Sequence, residues 1–372
     1  MQLLSGVPKE ELRGKRVLVR AGFDVPIVDG TVEGSFRLAR SVPTLKLLQE
    51  AGAKTIIISH VGRDGESLAP VAAAMQQHIP LTFIPDTVGE EARRAVTAMQ
   101  AGEVLLLENL RRDEREQAND ESFAQEIASL GDVYVDDAFS VAHREHASIV
   151  GVPKLLPHYA GLELESEVRE LSRALTPAEG SLCIIGGAKF ETKEPLIRKF
   201  LDIYAHVYIC GALANDIFLA RGVSVGASKV SDRKPSADVV NHPNLAMPVD
   251  VTVIHSDGTT GVCLPNEVQE GDIIADIGPE SVESLRDIVN GAPLILWNGP
   301  TGIYEKGFTE RTGALARMIA EHECISLVGG GDTVTAIEEA GATEKFTFIS
   351  TGGGAMLEFL QNGTLPGIEA LA

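Results

Sequence analysis

The sequence predicts an α/β protein made of two doubly wound parallel-sheet (Rossmann-like) domains joined by a helical hinge. Three observations indicate this fold class. Short apolar runs rich in Val and Ile alternate with segments of helical period, which is the pattern of βα units on a parallel sheet. The pattern occurs in both halves of the chain, and a length of 372 residues suits two domains.

The first half contains short predicted strands with helical segments between them. The strands are Arg16–Arg20, Thr55–Ser59, Leu81–Ile84, Val104–Leu107 and Val133–Val135; the helices are Leu38–Ala51, Ala69–Gln77, Glu90–Met99 and Ser122–Leu130. Continuous apolar strands of this length are typical of sheets that are buried on both faces. We therefore place an N-terminal domain in residues 1–160.

The second half repeats this scheme, and we expect it to form a second doubly wound domain over residues 177–350. Its predicted strands are Leu182–Ile185, Val207–Cys210, Val251–His255, Ile273–Ala275, Leu294–Trp297, Ile325–Val328 and Phe346–Ser350. Between the two halves, Leu162–Leu175 intersperses charged residues with leucines and is followed by Pro177, which cannot continue a helix. Residues 161–176 are accordingly predicted to be the interdomain helix.

Composition excludes several classes of protein. The 32 Lys and Arg residues are outnumbered by 53 Asp and Glu residues, and the net charge of −21 disfavours a nucleic-acid-binding protein. No apolar run approaches the roughly 20 residues of a membrane span, and Met1–Glu10 is unlike a secretory leader. The four cysteines show no CxxC spacing and are expected to be free thiols. We expect a soluble cytoplasmic monomer.

Cationic residues follow successive strands of the first half. Ligands of open α/β sheets bind outside the carboxyl ends of the strands, so these positions are informative. They hold Arg20 with Gly22, Phe23 and Asp24; then His60, Val61, Gly62 and Arg63; then Arg111 and Arg112; then His143 and Arg144, with Arg37 past the first strand. Guanidinium groups bind phosphate and carboxylate oxygens in pairs, so this set suits a small molecule with two anionic ends. Any one of these arginines could instead be an ordinary surface charge.

The equivalent positions of the second half hold glycine. The loops are Gly186–Lys189, Cys210–Ala212, Asn298–Pro300, Gly329–Thr333 and Ser350–Gly354. Glycine lets backbone amides approach phosphate closely, and a helix that begins after such a loop adds the positive end of its dipole. These loops therefore predict a polyphosphate site, although a single glycine turn would be explained by tight packing alone.

Two side-chain features support the same interpretation. Lys189 and Lys193 lie four residues apart at the start of a predicted helix, so both ammonium groups are expected on one side of it. Asp332 follows three glycines and is a candidate ligand for the Mg²⁺ that accompanies a nucleotide, or alternatively a helix N-cap. No Walker motif, protein-kinase motif or complete G-x-G-x-x-G after a first strand is present, which disfavours P-loop proteins and dinucleotide dehydrogenases.

Runs along nearly the whole chain, in order, resemble the phosphoglycerate kinase family. They are Val17–Arg20 with Phe23 and Val25–Pro26, Ser59–Arg63, Leu105–Asn109, Asp137–Phe139 with Ala142–Arg144, Gly186–Lys189, Pro248–Asp250, Asp276–Pro279, Trp297–Pro300, Gly329–Thr333 and Ser350–Gly354. The resemblance implies a two-domain hinge enzyme that reversibly transfers a phosphoryl group between 1,3-bisphosphoglycerate and ADP, giving 3-phosphoglycerate and ATP, with Mg²⁺. It also implies that the C-terminal segment, residues 351–372, packs back towards the first domain.

The resemblance assigns roles to particular residues. Phosphoglycerate would be held by Gly22, Phe23, Asp24, Arg37, His60, Val61, Gly62, Arg63, Arg111 and Arg144. The nucleotide would be held by Gly187, Lys193, Gly211, Asn298, Pro300, Glu305, Gly329, Gly330, Gly331, Asp332 and Thr333, with Glu305 on the ribose and Asp332 on the metal. The phosphoryl group in transfer would meet Arg37, Lys189 and the glycines Gly352, Gly353 and Gly354.

The chain departs from the family pattern mainly on the substrate side. Family members usually have Asp at the position of Gly22 and Asn at that of Asp24. The resemblance therefore implies that a hydrogen-bond acceptor for the glycerate hydroxyl is missing at Gly22 and that an anion stands at Asp24 in place of a neutral amide. Asp136, Ser140 and Cys210 also replace the usual Asn, Gly and Gly. The alternative is a catalytically impaired, nucleotide-binding relative that acts as an interaction or regulatory protein.

Overall fold

The protein is described here from a computed structural model, which covers residues 1–34, 36–63 and 65–372. The chain forms two compact units. Unit 1 comprises residues 1–169 together with 364–372, and unit 2 comprises residues 170–363. The boundary between the units falls within the helix that begins at Leu162.

Unit 1 alternates strands and helices along the chain. Its strands are β1 (Arg16–Ala21), β2 (Ile27–Val28), β3 (Thr31–Val32), β4 (Lys54–Ile58), β5 (Thr82–Ile84), β6 (Val104–Leu107), β7 (Val133–Asp137) and β8 (His158–Ala160). Its helices are α1 (Lys9–Leu12), α2 (Phe36–Glu50), α3 (Ala69–Met75), α4 (Glu90–Ala98), α5 (Glu114–Gln117), α6 (Glu121–Ala128) and the start of α7 (Leu162–Ser172). Strands β2 and β3 form a small antiparallel hairpin.

Within the described residues, six strands of unit 1 form one parallel sheet in the order β5-β6-β4-β1-β7-β8. Both faces are covered. Val17 and Val19 of β1 pack with Leu45 of α2 and Val71 of α3, while Leu18, on the opposite face, is also fully buried. Each such buried side chain contributes about 1.5–3 kcal/mol to folding. The order places the carboxyl ends of β6, β4, β1 and β7 side by side.

Unit 2 begins after α7. Its strands are β9 (Leu182–Ile185), β10 (His206–Ile209), β11 (Leu245–Ala246), β12 (Val251–Ile254), β13 (Thr260–Cys263), β14 (Ile273–Ile277), β15 (Leu294–Asn298), β16 (Ile325–Gly329) and β17 (Phe348–Ile349). Its helices are α8 (Phe190–Ile203), α9 (Ala212–Ala220), α10 (Ala237–Val240), α11 (Pro279–Ser284), α12 (Arg286–Gly291), α13 (Glu310–Ala320), α14 (Gly331–Glu339) and α15 (Gly354–Asn362).

Unit 2 also contains a parallel sheet, whose six strands in the described residues run in the order β11-β10-β9-β15-β16-β17. The predicted fold class of two parallel-sheet α/β domains is therefore confirmed. One expectation for this half was wrong. The runs Val251–His255 and Ile273–Ala275 belong to β12 and β14, which pair antiparallel with each other in a separate three-stranded sheet with β13.

The last residues of the chain belong to unit 1. Helix α16 (Pro366–Glu369) packs against unit 1, where the Gly367 N–H donates to the carbonyl of Ala142 at 2.8 Å. A Cβ at Gly367 would lie 3.1 Å from atoms of Ala142, so the two segments are in tight contact. All four cysteines are free. Among the described helices, none is both long and apolar enough to cross a membrane.

Candidate active site

Three of the cationic residues predicted at the rim of unit 1, Arg37, His60 and Arg111, are brought together around Asp24 and Gly62. Its Oδ1 accepts from the Gly62 N–H at 3.0 Å, and its Oδ2 lies 3.6 Å from Nε2 of His60. Arg37 donates to the main-chain carbonyl of Asp24, and Arg111 donates to the carbonyl of Gly62 at 2.7 Å. The loops after β1, β4 and β6 and the start of α2 therefore converge on one point.

This cluster fixes the charge of its members. Burial acts to raise the pKa of Asp24, but the contact with His60, the Gly62 N–H and the charge of Arg37 outweigh it and lower that pKa to about 2. Burial lowers the pKa of His60 to about 4, and the charges of Arg20 and Arg111 add to this effect while Asp24 opposes it. At neutral pH, Asp24 is an anion and His60 is neutral.

Two donors in this region are buried without a partner in the described part of the chain: Nε2 of His60 and Nε of Arg111. Burial lowers the pKa of the Arg111 guanidinium, and the neighbouring charges of Arg20 and Arg144 lower it further. The charge of Asp24 acts in the opposite direction and raises this pKa. Arg63 and Arg144 are exposed to solvent. Buried donors that lack a partner among several like charges are the arrangement that an anionic ligand would stabilise.

In unit 2, the glycine loops after β9, β10 and β15 touch through their backbones. A Cβ on Gly186 would lie 2.2 Å from the carbonyl oxygen of Pro300, and one on Gly211 would lie 2.9 Å from the amide nitrogen of Gly187. The Gly299 N–H donates to Oγ1 of Thr333 at 2.9 Å, which adds the loop after β16. Side chains at these glycines would force the loops apart. The sequence places glycine here because backbone packs on backbone.

Helices α8, α9 and α14 begin directly after three of these loops, and α15 begins directly after the loop that follows β17, so their N-terminal amides point towards the same edge of the sheet. At Gly353 and Gly354, which precede and open α15, a Cβ would meet no atom within 4 Å. Lys189 adopts the left-handed conformation (φ 65°) as the residue before α8. The edge thus carries several positive helix ends as well as a lysine.

A cavity of about 500 Å³ opens beside this edge. Five predicted nucleotide-binding residues line it: Gly187, Gly211, Pro300, Glu305 and Asp332. The remaining wall is largely apolar and includes Phe218, Val251 and Ile273. A cavity of this size with an apolar wall and a glycine-lined end fits a nucleotide, with the base on the wall and the phosphates at the loops.

Other predicted residues lie beside this cavity rather than in its wall. The ammonium of Lys193 donates to the carbonyl of Gly186 at 2.7 Å, and burial lowers the pKa of this lysine. Asn298 is nearly buried at the end of β15 and Thr333 is buried behind Gly299. Lys189 lines a second, smaller cavity with Glu191 and Lys229. The structure therefore separates the two predicted lysines, one holding a loop and one exposed.

Asp332 is the candidate metal ligand. Burial raises the pKa of its carboxyl group, and the charge of Glu305 raises it further. Both carboxylates line the cavity. No group of three or more His, Cys, Asp or Glu residues that could hold a metal occurs in the described residues. Mg²⁺ commonly uses one or two carboxylates together with substrate phosphates, so Asp332 fits a metal that arrives with the nucleotide.

Two compact sites, one cationic and one glycine-lined, are what an enzyme with two anionic substrates requires. A family model described as phosphoglycerate kinase matches residues 7–363. The chain belongs to the phosphoglycerate kinase family. The predicted resemblance is confirmed, and the chain is a phosphotransferase with a carboxyl group as acceptor.

Similar proteins cover the chain from end to end. Phosphoglycerate kinase of Herpetosiphon aurantiacus is 41% identical, over 96% of this chain and 96% of that protein. Phosphoglycerate kinase of Dictyoglomus turgidum is 39% identical, over 97% and 96%. Among solved structures, phosphoglycerate kinase from Coxiella burnetii has a TM-score of 0.84 at 33% identity, over 99% of this chain and 98% of that one. The enzyme from Pyrococcus horikoshii has a TM-score of 0.86 at 29% identity, over 100% and 98%.

Sequence reasoning missed residues of two kinds in this phosphoglycerate kinase site. The apolar wall of the cavity, including Phe218 and Ile273, lies on elements whose apolar character has no distinctive pattern. The polar residues beneath the cationic rim, Glu116 and Ser148, are fully buried; Ser148 contacts Arg20, and Glu116 accepts from Ser148. Arg20 itself could be recognised in the sequence, because it is a charged residue at the end of an otherwise apolar predicted strand.

Proposed function

We propose that the chain carries out the reversible transfer of a phosphoryl group between 1,3-bisphosphoglycerate and ADP, with phosphoglycerate bound by unit 1 and the nucleotide by unit 2. The observation that supports this most directly is the pairing of two anion sites of different construction. One is made of guanidinium and imidazole groups around Asp24, and the other of backbone amides and helix N-termini around a large cavity.

On the substrate side, Arg37, His60, Arg63, Arg111 and Arg144 would bind the phosphate and carboxylate of phosphoglycerate. His60 and Arg111 each have a buried donor nitrogen without a partner among the described residues, and both donors would be satisfied by substrate oxygens. Gly22, Phe23, Val61 and Gly62 would form the backbone of this site. Contacts with Asp24 support these roles for Arg37, His60 and Gly62, and Arg111 joins the same cluster through the carbonyl of Gly62.

On the nucleotide side, the loops with Gly187, Gly211 and Gly329–Gly331 would bind the phosphates through backbone amides. Lys193 and the carbonyl of Asn298 would hold the first of these loops through Gly186, and Thr333 would support the neighbouring loop at Asn298–Pro300 by accepting from the Gly299 N–H. Glu305 would accept from the ribose. Asp332 would hold Mg²⁺, which when bound would neutralise charge on the phosphates.

The chemistry needs no general base. A substrate carboxylate is ionised at neutral pH and can attack the γ-phosphate directly. The protein must bring two anions in line and neutralise the charge of the transferred group, which is the work of cationic side chains and helix N-termini. Lys189 is exposed, and among the described residues its ammonium donates to no loop carbonyl, so it is available for this role with Arg37 and the amides at Gly352, Gly353 and Gly354.

We further infer that the units close on each other about α7 during catalysis, which would exclude water from the transferred group. In this proposal the enzyme is a cytoplasmic monomer whose partners are its small-molecule substrates, without a nucleic acid. The family comparisons do not favour the alternative of a non-catalytic relative.

A coupled assay and titration calorimetry test the proposal. We expect turnover of 3-phosphoglycerate with Mg²⁺ and ATP, and binding heat for each substrate. Lys189→Ala should slow turnover at saturation by about a hundredfold or more with little change in nucleotide affinity, because it removes charge stabilisation of the transferred group. Lys345→Ala, which removes an exposed lysine of the same unit, is the control. A loss of nucleotide affinity with unchanged turnover would show that Lys189 binds nucleotide instead.

A further inference from the structure

A continuous series of hydrogen bonds runs from the interior of unit 1 to the cationic rim. Both oxygens of Glu116 accept from Ser148: Oε1 from the hydroxyl at 2.6 Å and Oε2 from the N–H at 3.0 Å. The Ser148 hydroxyl accepts from Nε of Arg20 at 2.9 Å, and Nη2 of Arg20 contacts Nδ1 of His60 at 2.9 Å. Glu116, Ser148 and Arg20 are fully buried, and His60 is 1% exposed.

The donor and the acceptor in the contact between Arg20 and His60 follow from the chemistry of the two groups. A guanidinium has only donors, so Nδ1 of His60 must be the acceptor in its contact with Arg20. The proton of neutral His60 therefore lies on Nε2, which faces Asp24 and the proposed substrate site. In the other tautomer, Nε2 would present a lone pair to an anionic substrate and repel it.

Arg20 is held in the position that imposes this tautomer. Its remaining contact, from Nη1 to the carbonyl of Ala21 at 2.7 Å, is local, so Ser148 supplies the bond that anchors Nε to another part of the fold. The Ser148 hydroxyl can accept from Arg20 because it donates to Glu116. Without that acceptor the hydroxyl would be free to rotate, and its lone pair would no longer be held towards Arg20.

We propose that Glu116 and Ser148 are positioning residues, which act through Arg20 to fix His60 as the tautomer that offers an N–H to phosphoglycerate. They do not touch the substrate. The statement that His60 faces phosphoglycerate rests on the proposed function, whereas the tautomer and its dependence on Glu116 and Ser148 do not.

Other charged groups near this series must be considered in any titration. His60 is influenced by Arg20, Arg111 and Asp24, and also interacts with His146. Nδ1 of His146 lies 3.9 Å from Oε1 of Glu116, and burial, with the charges of Arg20 and Arg111, lowers the pKa of His146 to about 4. Asp136 lies beside Arg20 in the sheet. His146 is thus neutral at pH 7. Burial raises the pKa of Glu116, against the charge of Arg20 and the hydrogen bonds from Ser148, and burial raises the pKa of Asp136 to about 6, so both carboxyl groups must be followed in the same titration.

The first test uses the unaltered protein. Nitrogen-15 NMR of the histidine side chains, assigned by comparison with His60→Gln, reports which ring nitrogen carries the proton. We expect the Nε2–H tautomer of His60 between pH 6 and pH 8. A proton on Nδ1 would overturn the proposal without the need for any variant.

The second test removes the anchor. In Ser148→Ala and Glu116→Gln we expect a mixture of His60 tautomers, a pKa of His60 raised above about 4 because Arg20 is less closely held, and a KM for 3-phosphoglycerate raised about tenfold with a smaller change in kcat. Glu116→Gln keeps one oxygen, which can still accept from the Ser148 hydroxyl, but it turns an NH2 towards the Ser148 N–H, so it should also lower stability. Native-like folding of either variant with a tautomer and titration of His60 unchanged from the parent would overturn the proposal.

Ser281→Ala provides a matched control. Ser281 is equally buried and donates to a buried carboxylate, Asp250, at 2.7 Å, but it lies in unit 2. The Ser281→Ala variant should have a lower free energy of unfolding and His60 NMR signals that are unchanged from the parent. A comparable change in His60 would mean that general destabilisation explains the effect. If no variant or parent turns over substrate, the proposed function fails while the NMR result on the tautomer still stands.

Discussion

Asp24 and His60 face each other at the rim of unit 1, with Oδ2 of the aspartate 3.6 Å from Nε2 of the imidazole. The aspartate is ionised and the histidine neutral at pH 7, as their pKa values of about 2 and about 4 require. An anion is therefore fixed inside a site whose arginines are arranged for an anionic substrate. Asp24 offsets part of the charge of Arg37 before substrate arrives.

Replacing Asp24 by Asn should tighten the binding of phosphoglycerate. A charge ~5 Å from the substrate with an effective dielectric of ~20 gives a repulsion of about 3 kcal/mol. Because 42% of the Asp24 side chain is exposed, solvent screening reduces this to about 1 kcal/mol, or a KM lowered about fivefold to tenfold. Asn keeps an oxygen acceptor for the Gly62 N–H, so the loop should be preserved.

Steady-state kinetics at fixed ionic strength would measure this change. The control is Glu10→Gln, which removes one exposed negative charge from α1 of the same unit. A KM for 3-phosphoglycerate that is unchanged or higher in Asp24→Asn would show that the carboxylate does not face the substrate. Restoring the usual family pair with Gly22→Asp and Asp24→Asn together should lower the KM further, because the resemblance to the family assigns the Asp at position 22 as hydrogen-bond acceptor for the glycerate hydroxyl. The new Cβ would lie 3.3 Å from the Ser140 hydroxyl, which must shift slightly.

Much of the fold could be predicted from the sequence because buried parallel strands are short apolar runs. Val104–Leu107 and Leu182–Ile185 were predicted with the bounds that the structure shows. The runs at β12 and β14 have the same apolar character, yet they pair antiparallel in a separate sheet. Periodicity identifies a strand but not its partner, which depends on how the chain between the strands folds back.

Some residues of the candidate site could likewise be predicted from the sequence, and others could not. Residues directly after strands, such as His60 and Gly299, could be placed at a sheet edge because the carboxyl ends of parallel strands meet there. The role of Lys193 could not, since only coordinates show its ammonium bound to the carbonyl of Gly186. Glu116 and Ser148 were missed because α5 and the turn at Ala147–Gly151 reach Arg20 through tertiary packing, which leaves no local pattern.

Asp136 should make the stability of unit 1 depend on pH. It is fully buried beside Arg20, and its Oδ2 has no hydrogen-bond partner among the described residues. Burial raises its pKa to about 6, although the Ala138 N–H and Arg20 act in the opposite direction. A group whose pKa is raised on folding contributes stability below its unfolded pKa, and that contribution is lost as pH rises through the folded pKa.

For Asp136→Asn we therefore expect a free energy of unfolding that exceeds the parent's by an amount growing between pH 4 and pH 6 and then levelling at about 1–3 kcal/mol. Thermal unfolding followed by circular dichroism at pH 4 and pH 7 would measure this. Asp132→Asn is a control of opposite sign, because the hydrogen bond from Arg16 lowers the pKa of Asp132, against a smaller effect of burial. A difference between Asp136→Asn and parent that is independent of pH would contradict the raised pKa.

The contact between Gly186 and the loop at Gly299–Pro300 should be essential to unit 2. The Gly186 N–H donates to the carbonyl of Asn298 at 2.8 Å, and its own carbonyl accepts from Lys193. An added Cβ would lie 2.2 Å from the Pro300 carbonyl oxygen, which is backbone and cannot rotate away. Gly186→Ala must therefore separate the two loops that are proposed to bind the nucleotide phosphates.

We expect Gly186→Ala to lower the free energy of unfolding by roughly 2 kcal/mol or more and to weaken ATP binding at least about tenfold. Gly291→Ala is the matched control in the same unit, since a Cβ there would meet no atom within 4 Å and should change stability by no more than about 1 kcal/mol, in the stabilising direction. Calorimetric titration of ATP and of 3-phosphoglycerate separates the two sites. Because phosphoglycerate is proposed to bind unit 1, its affinity should be the same in Gly186→Ala as in the parent, and an equal loss for both ligands would contradict the assignment of one substrate to each unit.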